Sequence, residues 1–83
     1  MNSQRQSQTP SLAACVTRAL DDYFRDLDGE APNNIHEMVM RSVEAPMIAY
    51  VMEKAGNNQT RASELLGINR NTLRKKLAEY QLT

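Results

Sequence analysis

Asn69-Arg-Asn-Thr-Leu-Arg-Lys-Lys76 gathers, in eight consecutive positions, the side chains that bind nucleic acid. An arginine fork matches the O6/N7 edge of guanine, and an asparagine amide pairs with adenine. Asn69, Arg70 and Thr72 are therefore candidate base or near-base contacts. Arg74, Lys75 and Lys76 are suited to phosphates, which position a protein without reading sequence. Asn58 and Thr60 lie upstream, where a helix start can offer side-chain and backbone N–H donors to a further phosphate. A solvated basic helix face is the competing explanation. Against it, helix starts normally attract Asp or Glu. From Arg70 onward this stretch has no acid before Glu79.

Such donors work only if a helix presents them. Asn58 can cap a short helix over about 59–66, and Asn69 a second over about 70–79. Gly67 between them supplies a positive φ that other residues resist. Ala62 and Ser63 are small where two helices must pass closely. Leu66, Ile68 and Leu73 form a wedge, with Leu77 continuing the inner face and Leu65 expected inward as well. Ile68 and Leu73 have the spacing of a hydrophobic staple. Helix, glycine turn, helix reads as a helix-turn-helix, whose second helix enters the major groove of duplex DNA.

Upstream of this unit the pattern is also helical. Residues 1–9 have no apolar residue beyond Met1 and are expected to be a disordered tail. Leu12, Cys15/Val16, Ala19/Leu20, Tyr23/Phe24 and Leu27 recur at three- and four-residue steps, predicting an amphipathic helix over about 11–27 that stops at Asp28-Gly29. Asn34-Ile-His-Glu37 has the form of a capping box. It opens a helix over about 35–55, expected to kink near Pro46. That helix is too apolar for one face, so a partner subunit is expected to cover it. The residues assigned to the seam are Leu20, Phe24, Met38, Val39, Val43, Met47, Ile48 and Val51. The expected organisation is a tail over 1–9, dimerisation helices over 10–56 and a DNA-binding unit over 57–83. The fold class is all-α: a four-helix subunit in an intertwined homodimer.

Size and composition agree with that assembly. A domain of 83 residues has a marginal core, typically supplying only ~3–5 kcal/mol, and usually needs further support. Cys15 is the single cysteine, so no disulfide supplies it, and no Cys/His cluster has zinc spacing. Association is what remains. Cys15 itself is expected as a small buried hydrophobe, and His36 receives no role. The sequence shows no nucleophile–base pair, phosphate loop or metal spacing, which argues against an enzyme and implies no cofactor. The longest apolar run, Ala45 to Met52, is eight residues, against the ~20 a spanning helix needs. With no secretory segment, the expected location is the cytoplasm.

The formal net charge is zero, from 10 Lys+Arg and 10 Asp+Glu. Residues 1–53 hold four cations against eight acids, a net of −4, and residues 54–83 hold six against two, a net of +4. In a two-fold dimer this becomes an acidic body with two basic ends. Asp21, Asp22, Asp26, Asp28 and Glu30 cluster in the body, either as a solvated face or as an electrostatic rudder that orients the basic ends on DNA.

Gly56-Asn-Asn-Gln-Thr-Arg-Ala62 and Leu65-Leu-Gly-Ile-Asn-Arg-Asn-Thr-Leu-Arg-Lys-Lys-Leu77 closely resemble the DNA-binding end of the Fis (factor for inversion stimulation) family. Ala19-Leu-x-x-Tyr-Phe24 and Val43-Glu-x-Pro-Met47 extend the resemblance upstream, to about Leu12. Bacterial enhancer-binding activators end in a similar unit, but the breadth of the match and the lack of an ATPase module favour free-standing Fis. The resemblance implies a four-helix homodimer whose first two helices interlock, with the third and fourth as reader. It implies a nucleoid-associated regulator that binds degenerate sites and bends DNA, because its two recognition helices lie closer than one DNA turn. By matching position, Asn69, Arg70 and Thr72 would lie on bases or nearby backbone, and Arg74, Lys75, Asn58 and Thr60 on phosphates. Double-stranded DNA and a second copy of the chain are the implied partners, with RNA polymerase a further candidate and no membrane. Family members that activate DNA invertases carry a longer N-terminal hairpin arm. Met1–Thr9 is too short for it, so a short form lacking that arm is expected, and the resemblance leaves recombinase stimulation open. Gly56-Asn57 and Ala78-Glu79 stand where basic residues are frequent, which should lower non-specific affinity. A protein-interaction module, using the methionine-rich helix as its surface, is the alternative from a different class.

Overall fold

The computed structural model describes residues 10–83, so the tail expected over 1–9 lies outside the described residues. Four helices follow in order: α1 (Leu12–Asp26), α2 (Ile35–Lys54), α3 (Gln59–Leu66) and α4 (Arg70–Glu79). No strand occurs among the described residues. The contacts divide the chain into one compact unit ending at His36 and a second running from Glu37 to Thr83. The unit that contains the helix-turn-helix therefore includes nearly all of α2.

In the first unit, Ser11 opens α1 from an extended backbone, and its Oγ accepts from Ala14 N at 3.0 Å. This satisfies one of the N–H groups orphaned at a helix start. Beyond Leu27 the chain turns through the left-handed region at Asp28 (φ 52) and then Gly29 (φ 91). The Tyr23 hydroxyl accepts from Asn33 N at 3.3 Å and donates to Asn33 O at 3.4 Å, tying the following loop to α1. No residue of α1 is buried. Cys15, expected to be buried, is exposed. The capping box at Asn34 does not form. Asn34 has φ 55, whereas an N-cap needs extended backbone.

The second unit is built on α2. This helix runs unbroken through Pro46 for 20 residues. Proline removes one ladder bond, yet Ile48 and Ala55 beyond it pack into the core with Ala62, Leu73 and Leu77. Val51, Met52, Leu66, Ile68 and Tyr80 close around that cluster. Ile48 is 0% exposed. It was expected at the dimer seam, but the core of its own chain covers it, so it offers no surface to a partner. The other seam candidates in this unit, Met38, Val39, Val43 and Val51, are half-buried, and Met47 is exposed.

Two turns set the path from α2 into α4. Gly56 N donates to Glu53 O at 3.1 Å and Asn57 N to Met52 O at 2.9 Å. Gly67 N donates to Glu64 O at 3.3 Å and Ile68 N to Ser63 O at 3.1 Å. Both are Schellman pairs, which satisfy the last carbonyls of a helix. Gly67 sits at φ 75, the left-handed conformation that its turn requires.

Candidate nucleic-acid interface

The two helices of the reader begin on asparagine caps. Asn58 Oδ1 accepts from Arg61 N at 3.1 Å, and Asn69 Oδ1 accepts from Asn71 N at 2.7 Å. Using the oxygen for the cap leaves each amide NH2 as a donor on an exposed residue. Neither helix has an acid in its first turn. The partial positive charge of both N-termini is therefore not cancelled locally.

Inside the unit, Ala62 is completely buried and Ser63 nearly so. Ser63 Oγ donates to Thr60 O at 2.8 Å, which lets a polar residue occupy the helix crossing. Leu73 and Leu77 are buried beneath α4. Leu65, expected inward, is 54% exposed.

The outer face of α4 carries the cations. Arg70 Nη1 donates to Thr60 Oγ1 at 3.1 Å, linking the first turns of α4 and α3. Arg74 Nη2 donates to Asn71 Oδ1 at 3.3 Å. Asn71, Arg74, Lys75 and Ala78 line one open shallow surface. Asn58, Thr60, Asn69, Arg70, Thr72, Arg74 and Lys75 are all exposed. Asn71 was not among the expected contacts. Its three-residue offset from Arg74 on one helix face was the available signal.

Lys76 stands apart from this set. Its Nζ lies 2.9 Å from Glu44 Oε1 of α2. The Tyr80 hydroxyl donates to that same oxygen. Arg41 lies 5.1 Å over the Tyr80 ring and 3.9 Å from Glu79. The hydrogen bonds from Tyr80 and then Lys76 hold the Glu44 carboxyl below the usual carboxylate range, with burial opposing them. The bond to Glu44 pushes the Tyr80 phenol up to about 12. Lys76 on α4 and Tyr80, which caps it, are one turn apart, but their partner lies on another helix, so spacing alone gave no sign of it.

Among the described residues, no group of His, Cys, Asp and Glu could hold a metal ion, and no helix is long and apolar enough to cross a membrane. The acidic cluster of the first unit is partly paired within α1. Arg25 bridges Asp21 at 2.6 Å and Asp22 at 3.3 Å, both on exposed side chains.

Comparison with known proteins matches this arrangement. The model of "Bacterial regulatory protein, Fis family" covers residues 39–80, and that of "DNA-binding protein Fis N-terminal domain" covers residues 1–32. A Fis-like DNA-binding protein of Ralstonia nicotianae is 54% identical over 71 residues, spanning 86% of this chain and 92% of the relative. DNA-binding protein Fis of Pasteurella multocida is 48% identical over 80 residues, spanning 96% and 81%. That of Actinobacillus succinogenes is 46% identical over 83 residues, spanning 100% and 84%. A helix-turn-helix with a basic second helix, matched over most of the chain, places it: the protein belongs to the Fis family of bacterial regulatory proteins.

Proposed function

We propose that the chain is a homodimeric, sequence-tolerant DNA-binding and DNA-bending protein that regulates transcription from the bacterial nucleoid. One observation carries the reading. The capped N-terminus of α4 presents Arg70 and Thr72 with no acid, beside the capped N-terminus of α3 with Thr60. Arg70, Asn69 and Thr72 take the base edges or adjacent backbone. Arg74, Lys75, Asn58 and Thr60 take phosphates, and Asn71 orients Arg74. Membership in a family of DNA-binding regulators makes the protein a non-enzyme.

The dimer follows from surface that one subunit leaves open. Phe24 is 50% exposed and Met47 45%. With Leu20, Met38, Val39, Val43 and Val51, they form the proposed seam, Ile48 being excluded by its burial. Residues 10–56 supply the dimerisation helices and 57–83 the reader, with α2 shared between the two roles. Pairing two readers on one duplex favours bent DNA, and deformability then sets preference without base contacts. RNA polymerase is the proposed further partner, in keeping with the regulatory family. The match to the Fis N-terminal domain supports a free-standing Fis protein over an activator tail.

Binding to duplex DNA, followed across a salt series, tests the reading. Counterion release predicts a log–log slope of about −0.9 per phosphate neutralised. A flat response would refute DNA binding and favour the protein-interaction alternative. Sedimentation tests the dimer: a stable monomer at micromolar concentration would remove it.

A further inference from the structure

Four of the six cations after Glu53 lie between Arg70 and Lys76, but they are not equally free. Arg74 and Lys75 are exposed, whereas the Lys76 side chain is 28% exposed and its partner Glu44 is 19% exposed. One oxygen of Glu44 holds both the Lys76 ammonium and the Tyr80 hydroxyl. Arg41, one turn earlier on α2, covers the Tyr80 ring and faces Glu79. The cluster therefore joins α2 to the C-terminal end of α4 through two carboxylates, two cations and a phenol.

We propose that Glu44 masks Lys76 from the phosphate backbone and, through Lys76 and Tyr80, positions α4 on α2. This rests on the DNA-binding reading. A phosphate reaching Lys76 Nζ would meet the Glu44 carboxylate within hydrogen-bond distance of the same nitrogen. Like charges at that range repel, and the partly buried site is screened by salt less than the open surface. Transferring Lys76 to DNA would also leave Glu44 half-buried beside a polyanion with only the phenol as donor. Lys76 therefore releases no counterion on binding. The cations that engage the backbone are those on the open face, Arg74 and Lys75, with Arg70 at the helix start. Masking lowers the sequence-independent part of affinity, so it raises the ratio of site to non-site binding.

The full chain on duplex DNA, titrated with salt, separates this from an ordinary structural ion pair. Lys76→Gln is expected to keep the wild-type slope. Glu44→Gln, which keeps the shape and an acceptor for Tyr80, is expected to steepen it by about 0.9 for each subunit's freed lysine. The double variant Glu44→Gln/Lys76→Gln is expected to return to the wild-type slope. A shallower slope for Lys76→Gln, or an unchanged slope for folded Glu44→Gln, overturns the proposal. If circular dichroism shows Glu44→Gln unfolded, the Lys76→Gln slope decides alone. A wild-type chain with no salt dependence overturns the DNA reading itself, a result distinct from either.

Discussion

The Arg70 guanidinium donates to the Thr60 hydroxyl at 3.1 Å, so the first turn of the recognition helix is tied to the first turn of its partner helix. An arginine on a surface normally samples many rotamers and loses that freedom on binding. Here one nitrogen is already held, which removes part of that freedom in advance. Thr60→Val keeps the volume and removes the oxygen. It is expected to weaken discrimination among duplex sequences more than binding to random DNA, whereas Thr60→Ser retains discrimination. Competition binding between preferred and scrambled duplexes checks this, and equal loss on both would reduce Thr60 to a phosphate contact.

Gly67 adopts φ 75, and a Cβ built on it meets nothing within 4 Å. Any cost of Gly67→Ala is therefore conformational. The left-handed region penalises an L-residue by roughly 1–2 kcal/mol, and urea denaturation should show a loss of that size. Gly67→Asn should lose less, since asparagine tolerates this conformation. Equal losses for both would point to a packing role for Gly67.

Leu73 is completely buried and Leu65 is 54% exposed. Leu73→Ala should cost about 2–5 kcal/mol through lost transfer energy and the residual cavity. Leu65→Ala, away from the core, should stay within about 0.5 kcal/mol. Equilibrium unfolding of the two variants side by side measures the difference. A large cost at Leu65 would reveal a covering surface supplied by another molecule.

Ile48 and Met47 are neighbours with opposite expected effects. Ile48 packs with Leu73 and Leu77 within the chain, and Met47 is exposed. Ile48→Val should cost about 0.5–1.5 kcal/mol, with little dependence on protein concentration. Met47→Asp should instead weaken self-association, read as a shift to monomer in sedimentation and a melting temperature that depends on concentration. Unchanged association in Met47→Asp would remove Met47 from the seam.

The Glu44 carboxyl is held below its ordinary range, first by the Tyr80 hydrogen bond and then by Lys76. A carboxyl with a lowered folded pKa stabilises fully above its unfolded pKa, and that contribution fades as pH falls through the folded value. Tyr80 is raised to about 12, so its contribution is complete below the ordinary phenol range and fades as pH rises through about 12. Stability from this pair therefore spans the interval between the two. Thermal melts should show an acid limb in the wild type that Glu44→Gln flattens. Identical acid limbs would exclude Glu44 as its source.

The reader was legible in the chain because its signals are local. Asn58 and Asn69 cap the helices that follow them, Gly67 turns the chain, and Leu73 and Leu77 share a face. Each depends on neighbours within a few residues, so residue type and spacing suffice to place α3 and α4 at their observed bounds. Family membership was legible for the same reason, since the motifs around the reader are contiguous. What spacing could not supply was the identity of partners from distant elements. Ile48 looked like surplus apolar surface on α2 until α4 covered it. Cys15 and Leu65 sit on apolar stripes of their helices, yet both are exposed. Asn34 had the sequence of a cap but not its backbone. Glu44 is 32 residues from Lys76 and 36 from Tyr80, and no periodicity links them. Helix caps and glycine turns are decided by short-range sterics and hydrogen bonds. Burial and charge pairing are decided by which faces the folded chain brings together, and only the packing of α2 on α4 turned one of the four clustered cations away from the rest.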